Sequence, residues 1–224
     1  MSVIELKNIN KDFGKGISKV QVLRNVNFQA DRGELSLILG PSGSGKSTFL
    51  TIAGGLQTPT SGTVTVEGQQ LEQMTAKERD ELRLNKIGFV LQSYNLLPYL
   101  NVGDQFALVR KIKKNGNMTE EELRVLLKEL GIETLLKHYP DEMSGGQNQR
   151  VAIARALYPN PEIVLADEPT AALDSSRVEV VGELLKQMAV QHNKAIVVVT
   201  HDLRLRNYAD HIYQIMDGKL SQEK

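Results

Sequence analysis

The chain contains no cysteine. That absence excludes disulfides, thiolate metal centres and a cysteine nucleophile, and it fits a reducing compartment. Net charge is missing too, because 27 Lys and Arg balance 27 Asp and Glu. No broad electrostatic footprint for nucleic acid results, so no nucleic-acid partner is expected. No apolar run approaches the ~18 residues of a membrane span. The opening Met1-Ser2-Val3-Ile4-Glu5-Leu6 lacks the charged-then-apolar order of a secretory signal. The expectation is a soluble, intracellular protein whose access to a membrane requires a partner. Internal repeats and low-complexity tracts are also lacking. At 224 residues the chain can bury a sizeable core and is read as one domain with a subdomain inserted.

What the chain does have is a glycine-rich segment, Gly40-Pro41-Ser42-Gly43-Ser44-Gly45-Lys46-Ser47-Thr48, directly after Glu34-Leu35-Ser36-Leu37-Ile38-Leu39, which reads as a short apolar strand. Glycines after a strand let the backbone wrap so that successive N–H groups point at one anion. Lys46, opening the next helix, is placed to reach the β- and γ-phosphates of a nucleotide. The Ser47 hydroxyl is placed on the Mg²⁺ that bridges them, and Thr48 adds a hydroxyl toward the α-phosphate.

Before that loop, Val3 to Leu6, Val20 to Leu23 and Val26 to Ala30 read as strands, and Thr63 to Gly68 adds another β-rich segment. From about Thr75 the character turns helical. Thr75 with Glu78 and Thr119 with Glu122 form capping-box pairs, and Gly131 sits where a helix Glu120–Leu130 would end. Beyond residue 150, apolar Ile163–Ala166 and Ile196–Val199 flank a helix from Val178 to Val190, and a hairpin turns at Asp217-Gly218. Short continuous apolar strands between helices predict a mostly parallel sheet covered on both faces.

Two of those strands end in chemistry. Ile163-Val164-Leu165-Ala166 delivers Asp167 and Glu168 to the sheet edge where α/β folds bind ligands. Asp167 suits the Mg²⁺ shell opposite Ser47, and Glu168 suits a general base that poises water for attack on a γ-phosphate. Val197-Val198-Val199-Thr200 delivers His201 to the same edge, within reach of the γ-phosphate or that water. His138, His192 and His211 show no ligand spacing and read as structural. Ser144-Gly145-Gly146 precedes an amphipathic helix, Gln149 to Leu157, and two glycines at a helix N-terminus offer exposed N–H groups and a positive dipole end, a second anion site. One chain has little need of two such sites, so the second is expected to face a neighbour's nucleotide. Asn193-Lys194-Ala195-Ile196 superficially matches a guanine-reading motif, but Ile196 stands where the base-binding acid is needed, so little selection for GTP is expected.

Taken in order, these residues resemble the ATP-binding subunit of ABC transporters over essentially the whole chain. In that resemblance residues 40–48 are the Walker A loop, and Gln92 in Gly88-Phe89-Val90-Leu91-Gln92 is the Q-loop. Met143 to Gln147 is the signature, with Met where Leu is usual. Asp167-Glu168 completes Walker B, Ala171-Ala172-Leu173-Asp174 looks like the D-loop, and His201 the switch histidine. The resemblance implies an α/β fold: a P-loop NTPase core with a mostly parallel sheet, an N-terminal antiparallel β subdomain and an inserted α-helical subdomain. It divides the chain into a core of about 1–74 and 151–224 and an insert of about 75–150. It implies that Phe13 stacks on adenine, where Tyr is more usual, and that Gln92 joins Ser47 and Asp167 at Mg²⁺. It further implies a homodimer that closes on two ATP molecules. Each would be held by one subunit's Gly40-to-Thr48 loop and the other's Ser144, Gly145, Gly146, Gln147 and Asp174, and hydrolysis would open the pair.

Val90-Leu91-Gln92-Ser93, Leu97-Pro98-Tyr99-Leu100, Leu165 to Thr170 and Tyr208-Ala209-Asp210 are similar to the MacB, LolD and heme-efflux (HrtA-like) branch of that family. This likeness implies an integral-membrane permease of the four-helix MacB/FtsX-like type and a place on the cytoplasmic face of the cell membrane. It also implies export of heme, antibiotic, peptide or lipoprotein cargo. The apolar stretch Ser93–Leu100 is either core or a docking groove, and the resemblance favours a groove for a permease coupling helix. The alternative is a soluble ABC ATPase serving iron–sulfur assembly or acting on ribosomes or nucleic acid.

Overall fold

The computed structural model describes residues 2–14 and 16–223; Met1, part of the signal reading above, lies outside them. In chain order the strands are β1 (Ser2–Phe13), β2 (Val20–Asp31), β3 (Leu35–Leu39), β4 (Ser61–Val66), β5 (Gln69–Gln70), β6 (Ile87–Val90), β7 (Ile163–Asp167), β8 (Ala195–Thr200), β9 (His211–Met216) and β10 (Lys219–Gln222). The α-helices are α1 (Lys46–Ala53), α2 (Ala76–Lys86), α3 (Val102–Ile112), α4 (Glu120–Glu129), α5 (Gly145–Leu157) and α6 (Ser175–Val190). They build a small antiparallel sheet ordered β2-β1-β4-β5 and a larger one ordered β10-β9-β3-β8-β7-β6. In the larger sheet only the β9–β10 hairpin is antiparallel.

Every residue of β3, β7 and β8 is buried, as parallel strands covered on both faces require. Alternation along each strand sorts the side chains into two cores. Leu35, Leu37, Leu39, Val164, Ala166, Ile196 and Val198 pack with Phe106 of α3, Leu126 of α4, Val151 of α5 and Val181 of α6. Ile38, Ile163, Leu165, Val197 and Val199 pack on the other face with Phe49 and Leu50 of α1, which lies between the large sheet and Ile4, Leu6 and Phe28 of the small one. Each such Leu, Ile, Val or Phe side chain contributes about 1.5–3 kcal/mol by burial. α1 is thereby fixed on two sides.

Helix ends obey local chemistry. Both capping boxes are present, at Thr75–Glu78 and Thr119–Glu122. α4 closes at Gly131 with the Ile132 amide donating to the Leu127 carbonyl at 2.9 Å and that of Gly131 to Lys128, a Schellman ending.

Two expectations need correction. Val20–Leu23 and Val26–Ala30 are one strand, because Asn25 bulges at φ 48 and its amide is caught by Asn10 Oδ1 at 2.9 Å. A short polar residue tolerates that conformation and lets pairing resume. The stretch 75–150 is also not wholly a helical insert. β6 is the edge strand of the large sheet, paired from Ile87 with Ile163 to Val90 with Ala166, while α2 sends Leu82 into the core around α1. Ile87-Gly88-Phe89-Val90 is too short, and too close to a polar helix, for its pattern to separate it from its surroundings.

Candidate active site

β3, β8, β7 and β6 are neighbours and parallel, so their carboxyl ends share one edge. β3 delivers the loop 40–45, β8 His201, β7 Asp167 and Glu168, and β6 leads to Gln92. Ser42, Gly43, Gly45, Lys46, Ser47, Thr48, Gln92, Asp167, Glu168 and His201, with Val22 of β2, line a cleft of about 270 Å³. A larger depression of about 1200 Å³ lies between α3 and α4, but its lining includes none of these residues and no strand end opens into it.

The loop is shaped by what its glycines leave out. A Cβ on Gly40 would lie 2.4 Å from the Ile215 carbonyl oxygen, so any side chain there collides with backbone. Gly45 caps α1 at φ 104, a conformation glycine adopts freely. No side chain caps α1, which leaves its first-turn N–H groups and positive dipole end for an anion. Lys46 is buried, and its Nζ donates to the Gly40 and Pro41 carbonyls at 2.8 and 2.9 Å, 3.8 Å from Glu168 Oε1. Ser44 is buried as well, and its Oγ has no partner among the described residues.

Asp167 is 6% exposed. Burial pushes its carboxyl up; a hydrogen bond from Ser47 opposes that, neighbouring Glu168 adds to it, and Lys46 opposes it. Asp167 Oδ1 has no hydrogen-bond partner among the described residues. A buried carboxylate oxygen so left, beside a serine hydroxyl, suits a hard cation. Mg²⁺ is commonly held by one or two carboxylates and the oxygens of a phosphate substrate.

Glu168 sits at φ 50, a strained backbone for a non-glycine residue. Its Oε2 accepts from Thr200 Oγ1 at 2.6 Å and its Oε1 pairs with His201 Nδ1 at 2.9 Å. The Glu168 carbonyl accepts from Nε2 of buried Gln149 on α5 at 3.3 Å. Sequence reasoning missed Thr200, Gln149 and Val22. Thr200 carried a signal, a polar residue closing an apolar strand; the other two did not.

Other predicted residues lie outside this cleft lining. Phe13 is exposed, with Lys11 Nζ 5.0 Å from its ring centroid, so it is not core. Ser144 caps α5: its Oγ accepts from the Gln147 amide at 3.2 Å, while its own amide donates to Gln147 Oε1 at 2.8 Å. A Cβ on Gly146 would lie 3.0 Å from the Ala172 carbonyl, so Gly145 and Gly146 form one surface with the segment before α6. Asp174 caps α6, accepting from the Arg177 amide at 3.0 Å and from Ser176 Oγ at 2.7 Å. His211 pairs with Glu34 at 3.1 Å. Lys194, of the guanine-like segment, is buried against Asn160 and the Pro161 carbonyl.

Residues 23–171 match the ABC transporter family. The chain belongs to that family. It is 47% identical over 220 residues, 96% of this chain and 97% of the relative, to a putative hemin import ATP-binding protein HrtA of Staphylococcus epidermidis. The identity is 44%, over 96% of this chain and 98% of the relative, to the protein of the same name in Staphylococcus aureus. Among solved structures it superposes on the dimeric MJ0796, a bacterial ABC transporter cassette, with a TM-score of 0.92 at 41% identity, covering 99% of this chain and 98% of that one. A dimeric post-hydrolysis state of MJ0796 bound to ADP and Pi gives a TM-score of 0.90 over the same shares. As an ABC transporter ATP-binding subunit, the chain binds and hydrolyses ATP.

Proposed function

We propose that this ATPase powers an ABC transporter for heme-class cargo, as a homodimer seated through a permease on the cytoplasmic face of the membrane. The observation that carries this is near-full-length identity to proteins named for hemin import, joined to the cleft just described. Those names point inward, whereas the likeness to the heme-efflux branch points outward. Cells lacking the chain decide direction: hemin accumulation indicates efflux, depletion indicates uptake, and an unchanged content rejects heme.

In the hydrolytic step, the loop amides and Lys46 hold the phosphates, and Thr48 adds a hydroxyl. Ser47, Asp167 and Gln92 would hold Mg²⁺, which supplies charge neutralisation on the phosphates when bound. Glu168 is the general base for the attacking water. Its two oxygens are oriented by Thr200 and by His201, and His201 is exposed enough to meet the γ-phosphate as well. Phe13 is the adenine platform, its exposed ring suited to stacking.

The signature residues act in trans. Ser144 and Gly145 are exposed and absent from the lining of their own chain's cleft, and the related MJ0796 cassette is described as dimeric. Ser144, Gly145, Gly146, Gln147 and Asp174 would then close on the partner's ATP. Losing the γ-phosphate removes contacts to both subunits and opens the pair.

No helix among the described residues is long and apolar enough to cross a membrane; in this reading a separate permease supplies the path. Leu97 and Tyr99 are exposed, Tyr99 at 88%, on a loop whose backbone is fixed by buried Gln105 through Leu97 and Leu100. That rigid apolar tip supports docking by a coupling helix. The test is recovery of tagged Glu168→Gln chain from membranes with ATP, with its companions identified by mass spectrometry. A four-span permease with a large outer domain is expected; ribosomal or iron–sulfur assembly proteins would favour the soluble alternative.

A further inference from the structure

We propose that Arg155 is a positioning residue for Gln92, acting through the backbone of Tyr94 and Asn95. The proposal rests on the reading that Gln92 serves hydrolysis. Tyr94 and Asn95 are consecutive, neither is glycine, and both are left-handed, at φ 56 and 50. Such backbone persists only where its surroundings hold it. Arg155, in the last turn of α5, does the holding. One guanidinium nitrogen donates to the Asn95 carbonyl at 2.5 Å and the other to the Tyr94 carbonyl at 2.9 Å. The planar fork meets two successive carbonyls at once, which a lysine ammonium does not reproduce.

The same turn also comes close to the other end of α5. The Tyr94 hydroxyl lies 3.5 Å from where a Cβ on Gly145 would stand. Beside the Arg155 anchor the chain is tightly wound, with the Tyr94 amide donating to the Leu91 carbonyl at 3.0 Å and that of Asn95 to Ser93 at 2.5 Å. Gln92 lies inside this winding and lines the cleft with Asp167 and Glu168. A shift of α5, whose N-terminus carries Ser144, Gly145 and Gly146, is therefore passed to Gln92.

Arg155→Lys keeps the charge and the stem but loses the fork. In the nucleotide-free chain, amides of residues 92–96 should exchange with deuterium about tenfold faster while those of β7 and β8 stay unchanged. Turnover should fall about tenfold with KM for ATP within about twofold. Arg155→Lys should cost nothing further in a Gln92→Ala background, because the two changes act on one element. Asn95→Gly, which adopts the left-handed backbone freely, should restore part of the turnover lost in Arg155→Lys.

Unchanged exchange at 92–96, an additive loss with Gln92→Ala, or no recovery with Asn95→Gly overturns the proposal. Parental turnover in Gln92→Ala alone overturns the reading of Gln92 and the proposal with it. That failure is distinguishable from absence of the clamp, because exchange is measured without nucleotide.

Discussion

The N-termini of α1 and α5 are built from the same materials, glycine, serine and a helix dipole, yet one is left open and the other closes on itself. α1 begins at Gly45 with no side-chain cap, flanked by buried Lys46, Asp167 and Glu168. α5 begins at Ser144, whose hydroxyl and amide are both engaged with Gln147, and its first residues lie at the surface. A helix end with unmet donors inside a cleft binds an anion without help. An exposed, capped one contributes little until another surface covers it, because water competes for its remaining donors. The first is enclosed by its own chain's cleft; the second, in the proposed reading, serves the site of a partner.

Three substitutions sharpen that contrast. The largest effect is expected at the α1 side from Glu168→Gln, which keeps shape but removes the proposed base. Turnover should fall by about 10²–10⁴, with ATP affinity within about threefold of the parental chain by calorimetry. Lys46→Met should weaken ATP binding by roughly 10–100-fold, the worth of charge-assisted hydrogen bonds. Ser144→Arg should leave the single chain's ATP affinity within about twofold, while abolishing the ATP-dependent dimer that Glu168→Gln accumulates. Equal losses of monomer affinity in Lys46→Met and Ser144→Arg would erase the distinction between the two helix ends.

How much of this was legible beforehand depended on whether the signal is local. Residues 40–48, Asp167, Glu168 and His201 announce themselves because each follows an apolar strand, and adjacency in a parallel sheet then gathers them at one edge. The capping boxes were readable for the same reason, being contained in four residues. Asn25 was not, since a bulge depends on what the partner strand offers. β6 was not, since its four residues become a strand only beside β7. Gln149 and Arg155 were hidden most thoroughly. Both lie on a helix whose pattern is accounted for by packing, and their partners are backbone carbonyls 19 and about 60 residues away in sequence.

The two helix ends also differ in how their carboxylates are held, and that difference yields the smallest effect. Burial holds Asp167 above the ordinary aspartate value of 3.8. Asp174, at the α5 side, is held below it by the Ser176 hydroxyl and the Arg177 amide. With its folded-state pKa raised, Asp167 makes the folded chain bind more protons between the unfolded and folded values. Stability is therefore lost as pH rises through that window, and at pH 7 the full cost is present. Asp167→Asn should raise the melting temperature of the nucleotide-free chain at pH 7, with the gain shrinking as pH falls through that window. Even 1 kcal/mol would move the midpoint by about 2–4 °C in a domain of this size. Asp174 has the opposite sign, its contribution present above the unfolded value and lost as pH falls, so Asp174→Asn should give no gain at pH 7. Equal responses of the two variants would mean that the buried acid beside α1 carries no stored cost, and that the open helix end is no more strained than the closed one.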